Sequence, residues 1–176
     1  LAEYELNSIW NSAVNFGRRI AAQDGYIPPE QYNTGLQLRP EDFSDVGQAN
    51  VLAREYVSKL RYSPSTDYIV YNGSFWEESK PKAQAVAHEL TARQLEEAEA
   101  EIAKQKSSMQ NNGALEILEN LGPKKAANEF TKKQLQTFMA YEAAKAYKKY
   151  AIKRRDSSCI STSLKEARPS LLIEQK

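Results

Sequence analysis

The feature that most constrains the fold is the dipeptide Asn72-Gly73, which separates two short runs of aromatic and β-branched residues, 68–71 and 74–76. Both central residues of a type I′ turn adopt positive φ, which Asn and Gly tolerate better than other residues. The sequence therefore predicts an antiparallel hairpin at this point. Residues 60–62, which include Leu60 and Tyr62, are predicted to add a third short strand.

A helix is predicted immediately before the strands. Asp45 can accept a hydrogen bond from a free amide of the following turn, and Gln48 can reach back three residues, which is a capping-box arrangement. This signal predicts a helix from Val46 to about Lys59.

The rest of the chain is predicted to be mainly helical. Residues 3–22 have an amphipathic pattern, and a connector with Gly and Pro follows. Ser79 and Pro81 predict the start of a long helix over 83–109, a short helix follows over 114–120, and Gly122 breaks the pattern. Thr131 and Gln134 predict a second capping box and a helix to about residue 155. Residues 157–163 are predicted as a polar connector, 163–168 as one further turn, and 171–173 as a closing strand or a lead into another domain.

These elements predict an α+β fold that is mostly α, a helical bundle with a small antiparallel sheet. The predicted divisions are an N-terminal helix at 1–24, a linker at 25–42, a main domain at 43–168 and a lead-in at 169–176. Because the chain starts at Leu1 and enters a helical pattern almost at once, we expect it to be a piece of a longer protein.

The composition is that of a soluble globular protein, with 41% apolar and 27% charged residues. No apolar run approaches the roughly 20 residues of a membrane span, and no signal peptide is visible. Cys159 is the single cysteine and cannot form an internal disulfide. We therefore expect a cytoplasmic protein.

Motifs that would carry chemistry are missing from the sequence. His88 is the only histidine and has neither HExxH spacing nor a cysteine pair beside it. There is no P-loop, no G-x-S-x-G and no acidic pair on a predicted strand. The sequence predicts no catalytic or metal-binding residue and disfavours a self-sufficient enzyme. A small hydrolase or nuclease would need a site assembled from scattered carboxylates.

The charges are distributed unevenly along the chain. Residues 86–101 contain five glutamates and one arginine, whereas residues 122–155 contain ten Lys and Arg and two glutamates. Cations can neutralise phosphates and aromatic rings can stack on unpaired bases. The alternative is a solvated basic helix end whose tyrosines belong to the core. The candidate nucleic-acid-binding residues are Lys145, Lys148, Lys149, Lys153, Arg154, Arg155, Tyr147 and Tyr150.

The order of these features resembles the domain that precedes the superfamily 3 helicase module in phage- and plasmid-type DNA primase-helicases, a family shared with the poxvirus primase-helicase. The resemblance is carried by residues 45–49, 60–62 and 71–76. Residues 6–13 and 25–29 resemble the end of the primase-proximal helical region and residues 167–173 the lead-in to the helicase module, so the resemblance covers nearly the whole chain. Gln48 departs from the asparagine that is usual in this pattern. The resemblance implies scaffold roles, as a cap, a tight turn and a core anchor, for Asp45, Gly47, Asn72, Gly73 and Trp76.

By this resemblance the chain would be a non-catalytic connecting and assembly domain that positions the helicase ring and contacts DNA, single-stranded DNA being one option. Its partners would be its own primase and helicase domains and further copies of itself, with no membrane. It would hold no cofactor, while ATP and Mg²⁺ would serve the parent protein. The alternative is a protein–protein interaction module in which the acidic arm at 89–101 and the basic helix pair between subunits without DNA.

Overall fold

The computed structural model describes residues 36–173, so the predicted N-terminal helix and most of the predicted linker lie outside the described residues. In this part of the chain, three strands lie between the first helix and the remaining four. The helices are α1 (Asp45–Tyr56), α2 (Lys80–Asn111), α3 (Ala114–Glu129), α4 (Lys132–Lys153) and α5 (Ser157–Leu171), and the strands are β1 (Leu60–Ser63), β2 (Asp67–Tyr71) and β3 (Trp76–Glu78). This architecture confirms the predicted α+β, mostly α fold class.

The strands form one antiparallel sheet in the order β1-β2-β3. The hairpin at Asn72-Gly73 is confirmed, but the predicted two-residue turn is wrong. Tyr71 pairs with Trp76, so four residues connect the strands. The Asn72 side chain accepts hydrogen bonds from the backbone N–H groups of Ser74 and Phe75, at 3.0 and 3.1 Å, which stabilises the longer loop.

One face of the sheet packs against the helices. Three residues are buried on this inner face: Leu60, Tyr68 and Val70. There β2 contacts α2, and β1 contacts α5. Because successive residues of a strand point to opposite faces, Ile69, Tyr71 and their neighbours occupy the outer face. The helices themselves pack mainly in two pairs, α1 with α5 and α2 with α4.

The start of α1 differs from the prediction. Ser44, not Asp45, is the N-cap residue, and its hydroxyl accepts a hydrogen bond of 2.9 Å from the Gly47 N–H. Gln48 does not complete a capping box, because its side chain is buried against Gln94 of α2. Asp45 is the first residue of the helix, where its carboxylate lies near the positive end of the helix dipole.

The prediction that Trp76 anchors the core is also wrong. This side chain is 42% exposed and contacts Tyr71 with a ring-centroid distance of 5.4 Å. Both residues lie on the outer face of the sheet, away from the helices. The aromatic pattern predicted the strand correctly, but which face it buries depends on where α2 and α5 pack.

The predicted starts of α2 and α4 are confirmed. Ser79 caps α2, and Thr131 with Gln134 forms the predicted capping box of α4. Gly122 adopts a positive φ of 71° and kinks α3 at the predicted break, although the helix continues beyond it to Glu129.

The predicted polar connector at 157–163 is wrong, because α5 begins at Ser157 and runs through it. Two serine hydroxyls form hydrogen bonds inside this helix. Ser161 and Ser163 donate to the carbonyls four residues earlier, at 2.9 and 2.8 Å. Leu171 ends the helix, and Leu172 makes an isolated parallel bridge to Tyr62 of β1.

Candidate nucleic-acid surface

Helix α4 carries the candidate nucleic-acid-binding residues. It packs lengthwise on α2, and the buried contact includes Ala98 of α2 with Tyr147 and Tyr150 of α4. At the other end of α4, Phe138 joins Met109 in a second apolar cluster. One side of α4 is therefore committed to the core, and the candidate residues divide between this side and solvent.

Tyr147 and Tyr150 belong to the core, so the interpretation of them as base-stacking residues is wrong. Their exposed fractions are 2% and 7%. The Tyr147 hydroxyl donates to Glu97 at 2.8 Å, and the Tyr150 hydroxyl donates to the buried Gln48 Oε1 at 3.0 Å. Burial raises the pKa of Tyr150 to about 12, and burial with the nearby Glu97 carboxylate raises the pKa of Tyr147 further.

Arg154 is likewise structural. Its buried guanidinium pairs with Asp45 at the start of α1 and lies 4.7 Å from the centroid of the Tyr150 ring. Burial has the largest single effect and lowers the pKa of Arg154, but the hydrogen bond to Asp45 and the electrostatic attraction of Tyr150 and Asp45 together outweigh it, so the pKa of Arg154 is raised. Asp45 and Arg154, predicted to play separate roles, are therefore partners in one contact.

Two of the lysines are engaged by carboxylates. Lys148 contacts Glu99 of α2 at 2.8 Å, and Lys145 contacts Glu142 one turn earlier on α4 at 2.7 Å. The Lys148 pair joins the acidic arm to the basic helix within one chain. The side of the acidic arm that faces α4 is therefore already occupied, which leaves less of it for pairing between subunits.

Among the candidate cations, three form no ion pair within residues 36–173: Lys149, Lys153 and Arg155. Lys145, Lys149 and Lys153 follow each other at four-residue intervals, so they form one exposed row with a spacing of about 6 Å along the helix axis. We call these three residues the lysine row. Ile152, 51% exposed, lies beside it. The row can present several ammonium groups to consecutive phosphates of a nucleic-acid strand.

Arg39 is a further cation near α4 that the sequence did not indicate. It is exposed and lies over the rings of Phe43 and Tyr147, at 5.7 and 5.3 Å from their centroids. Arg39 lies in the irregular segment before α1, more than a hundred residues from Tyr147, so no periodic pattern connects them.

In the described part of the chain, no group of three or more His, Cys, Asp or Glu side chains is arranged to hold a metal ion. His88 is exposed on α2, and Cys159 is half-buried and free. No helix among these residues combines the length and apolar character that a membrane span requires.

Comparison with known proteins adds one finding. The family model described as "D5 N terminal like" matches residues 49–176, which include all of the sheet and α2 to α5. No curated protein matches the chain. No solved structure matches it either. The match covers well over half of the chain and includes the hairpin. The chain belongs to the D5 N-terminal-like family, an N-terminal domain of D5-like primase-helicase proteins.

Proposed function

We propose that this chain is a connecting and assembly domain of a replicative primase-helicase, and that it guides DNA along the exposed side of α4. Family membership supports the first part of the proposal. The observation that carries the second is the lysine row, Lys145, Lys149 and Lys153, which is exposed on the side of α4 away from its buried residues. The helicase motor adjacent to this domain, ATP with its Mg²⁺, and primer synthesis would belong to other modules of the parent protein.

The mechanism is electrostatic. Each ammonium group of the row replaces counterions at one phosphate, which gives affinity without sequence preference. Arg155 follows the end of the helix and can add a fourth contact. Because Tyr147 and Tyr150 are buried, binding would rest on phosphate contacts and not on base stacking.

The test is fluorescence anisotropy of a labelled single strand titrated with the 176-residue chain at several salt concentrations. With three to four phosphate contacts, the logarithm of the affinity should fall against the logarithm of salt with a slope of roughly −2 to −3. A variant with Lys145, Lys149 and Lys153 all changed to Glu should lose this binding.

The matched control changes Lys106, Lys125 and Lys165 to Glu. These lysines are also exposed, form no ion pair in the described part of the chain, and lie on α2, α3 and α5. The control removes the same net charge but should retain most of the affinity. Equal loss in both variants, or no binding of the wild-type chain at low salt, would refute DNA guidance by α4 and leave only the assembly role.

A further inference from the structure

The outer face of the sheet is apolar and is not covered by any element within residues 36–173. Tyr71 and Trp76 are 37% and 42% exposed there, and Leu172 and Ile173 lie beyond β1 with similar exposure. A groove of about 500 Å³ on this face is lined by five residues: Arg61, Ile69, Trp76, Leu172 and Ile173. Contiguous exposed apolar surface of this kind marks an interaction site.

Two opposite charges flank this face. Arg61 on β1 pairs in register with Ile69 on β2, which pairs in turn with Glu78 on β3. The three residues thus form one row across the sheet, positive, apolar and negative. Adjacent strands are about 4.8 Å apart, so Arg61 and Glu78 are roughly 10 Å from each other. Neither residue forms an ion pair within the described part of the chain.

We propose that the outer face of the sheet is a two-fold contact with a second copy of this chain. A two-fold axis that runs along β2, between two sheets packed face to face, places β1 of each copy over β3 of the other. Arg61 then meets Glu78 of the second copy, and the reciprocal pair forms by symmetry. The same operation brings the two Ile69 side chains together at the centre.

The geometry selects this arrangement over others. A two-fold axis perpendicular to the strands in the same plane would place Arg61 over Arg61 and Glu78 over Glu78, which is repulsive. The axis along β2 keeps the strands of the two sheets aligned, as in β-sandwiches. It also places Leu172 and Ile173 of one copy in the layer that faces the open edge of β3 in the other copy.

The chemistry of the face also favours a protein over a nucleic acid. Its centre is aliphatic and aromatic, and a carboxylate, Glu78, balances the single guanidinium of Arg61. Protein surfaces that bind nucleic acid need a net positive charge. Aromatic residues, Arg and aliphatic side chains are instead typical of protein interfaces.

This contact is separate from the lysine row and does not depend on the proposed DNA guidance. A self-complementary contact closes at two copies, unlike the head-to-tail contacts that build a ring. Because a three-stranded sheet offers a small area, we expect a dissociation constant on the order of micromolar.

The experiment is sedimentation velocity of the 176-residue chain over a concentration series, with a charge-swap cycle. Arg61→Glu alone, or Glu78→Arg alone, places like charges opposite each other and should weaken dimerisation by roughly tenfold or more. The double variant with both changes restores opposite charges and should return the dissociation constant to within about threefold of the wild type. Circular dichroism and thermal unfolding check that each variant folds.

The matched control applies the same charge changes to Lys165→Glu and Glu166→Arg, which are exposed on α5. These variants should dimerise like the wild type. The proposal is overturned if the wild-type chain stays monomeric at a concentration roughly a hundredfold above the expected dissociation constant. It is equally overturned if the single swaps dimerise normally or if the double variant does not recover.

Discussion

Arg154 and Asp45 lie 109 residues apart in the sequence and form an ion pair that joins the end of α4 to the first turn of α1. The Arg154 side chain is 8% exposed, whereas the Asp45 side chain is 52% exposed. Arg154 is therefore held inside the fold by a partner that solvent reaches. This contact fixes the position of α4 relative to α1 and separates a structural arginine from its exposed neighbour Arg155.

We predict that Arg154→Ala lowers the free energy of unfolding by about 2 kcal/mol, because the substitution removes the charged hydrogen bond to Asp45 and the packing on Tyr150. Urea denaturation measures this change. Arg155→Ala is the matched control, since Arg155 is exposed and has no ion pair in the described residues, and it should change stability by no more than about 0.5 kcal/mol. Similar losses for both variants would contradict the assigned role of Arg154.

Gly47 provides a second test, at the start of α1. A Cβ atom at this position would lie 2.4 Å from the Asp42 carbonyl oxygen and 2.7 Å from Asp42 Oδ1. Alanine favours helices over glycine by about 1 kcal/mol, but the overlap with Asp42 should outweigh this preference. We therefore predict that Gly47→Ala destabilises the fold by about 1 to 3 kcal/mol in urea denaturation.

The control for Gly47 is Asn50→Ala, an exposed position one turn later on α1. This change should alter stability by no more than about 0.5 kcal/mol. A stabilising effect of Gly47→Ala would show that the loop before α1 moves away at little cost.

Local chemistry explains the parts of the fold that the sequence predicted. The Ser79 cap, the Thr131 and Gln134 capping box and the Asn72-Gly73 hairpin each depend on residues no more than a few positions apart. Such signals act through the backbone of their own segment, so one sequence suffices to identify them.

The candidate site was harder to predict because its outcome depends on distant partners. Lysines and tyrosines alternate along α4, but only the packing of α2 decides that Tyr147 and Tyr150 are buried and Lys149 is exposed. The burial of Trp76 was mispredicted for the same reason. In α5, the serines resembled a connector because their hydrogen bonds to preceding carbonyls leave no pattern in the sequence.

Gln48 and Gln94 form a buried amide pair that tests this dependence on distant partners. Each side-chain amide donates to the other, at 2.8 and 2.9 Å, and Gln94 also donates to the Leu38 carbonyl at 2.8 Å. Both residues are 1% exposed or less. Gln94→Leu should cost about 2 to 3 kcal/mol, because it leaves Gln48 and the Leu38 carbonyl without that partner.

A double-mutant cycle with Gln48→Leu measures the coupling. The double variant should be less destabilised than the sum of the two single variants, by about 1 kcal/mol or more, since each single change already removes the shared hydrogen bonds. Additive losses in urea denaturation would mean that the two amides do not depend on each other.

The buried tyrosines predict how stability depends on pH. An unfolded tyrosine has its ordinary pKa of 10.0, whereas burial raises the pKa of Tyr56 and of Tyr150 to about 12, and that of Tyr147 is raised as well. Above pH 10 the unfolded chain therefore releases protons that the folded chain retains. The stability that these groups contribute is fully present below pH 10 and is lost as the pH rises from 10 towards their folded pKa values.

Tyr147→Phe should remove the contribution of one tyrosine to the loss of stability above pH 10. Between about pH 10 and pH 11, the free energy of unfolding of the variant should fall less than that of the wild type, by about 1 kcal/mol over this pH unit. At neutral pH the change should cost only about 1 kcal/mol, because the hydroxyl gives up one hydrogen bond to the exposed Glu97. Urea denaturation over a pH series measures both values, and an unchanged alkaline slope would contradict the burial of this hydroxyl.

DNA affinity of the Tyr147→Phe variant should stay at the wild-type value, since the ring of Tyr147 faces the core. A loss of affinity in a folded variant would show that Tyr147 belongs to the binding surface.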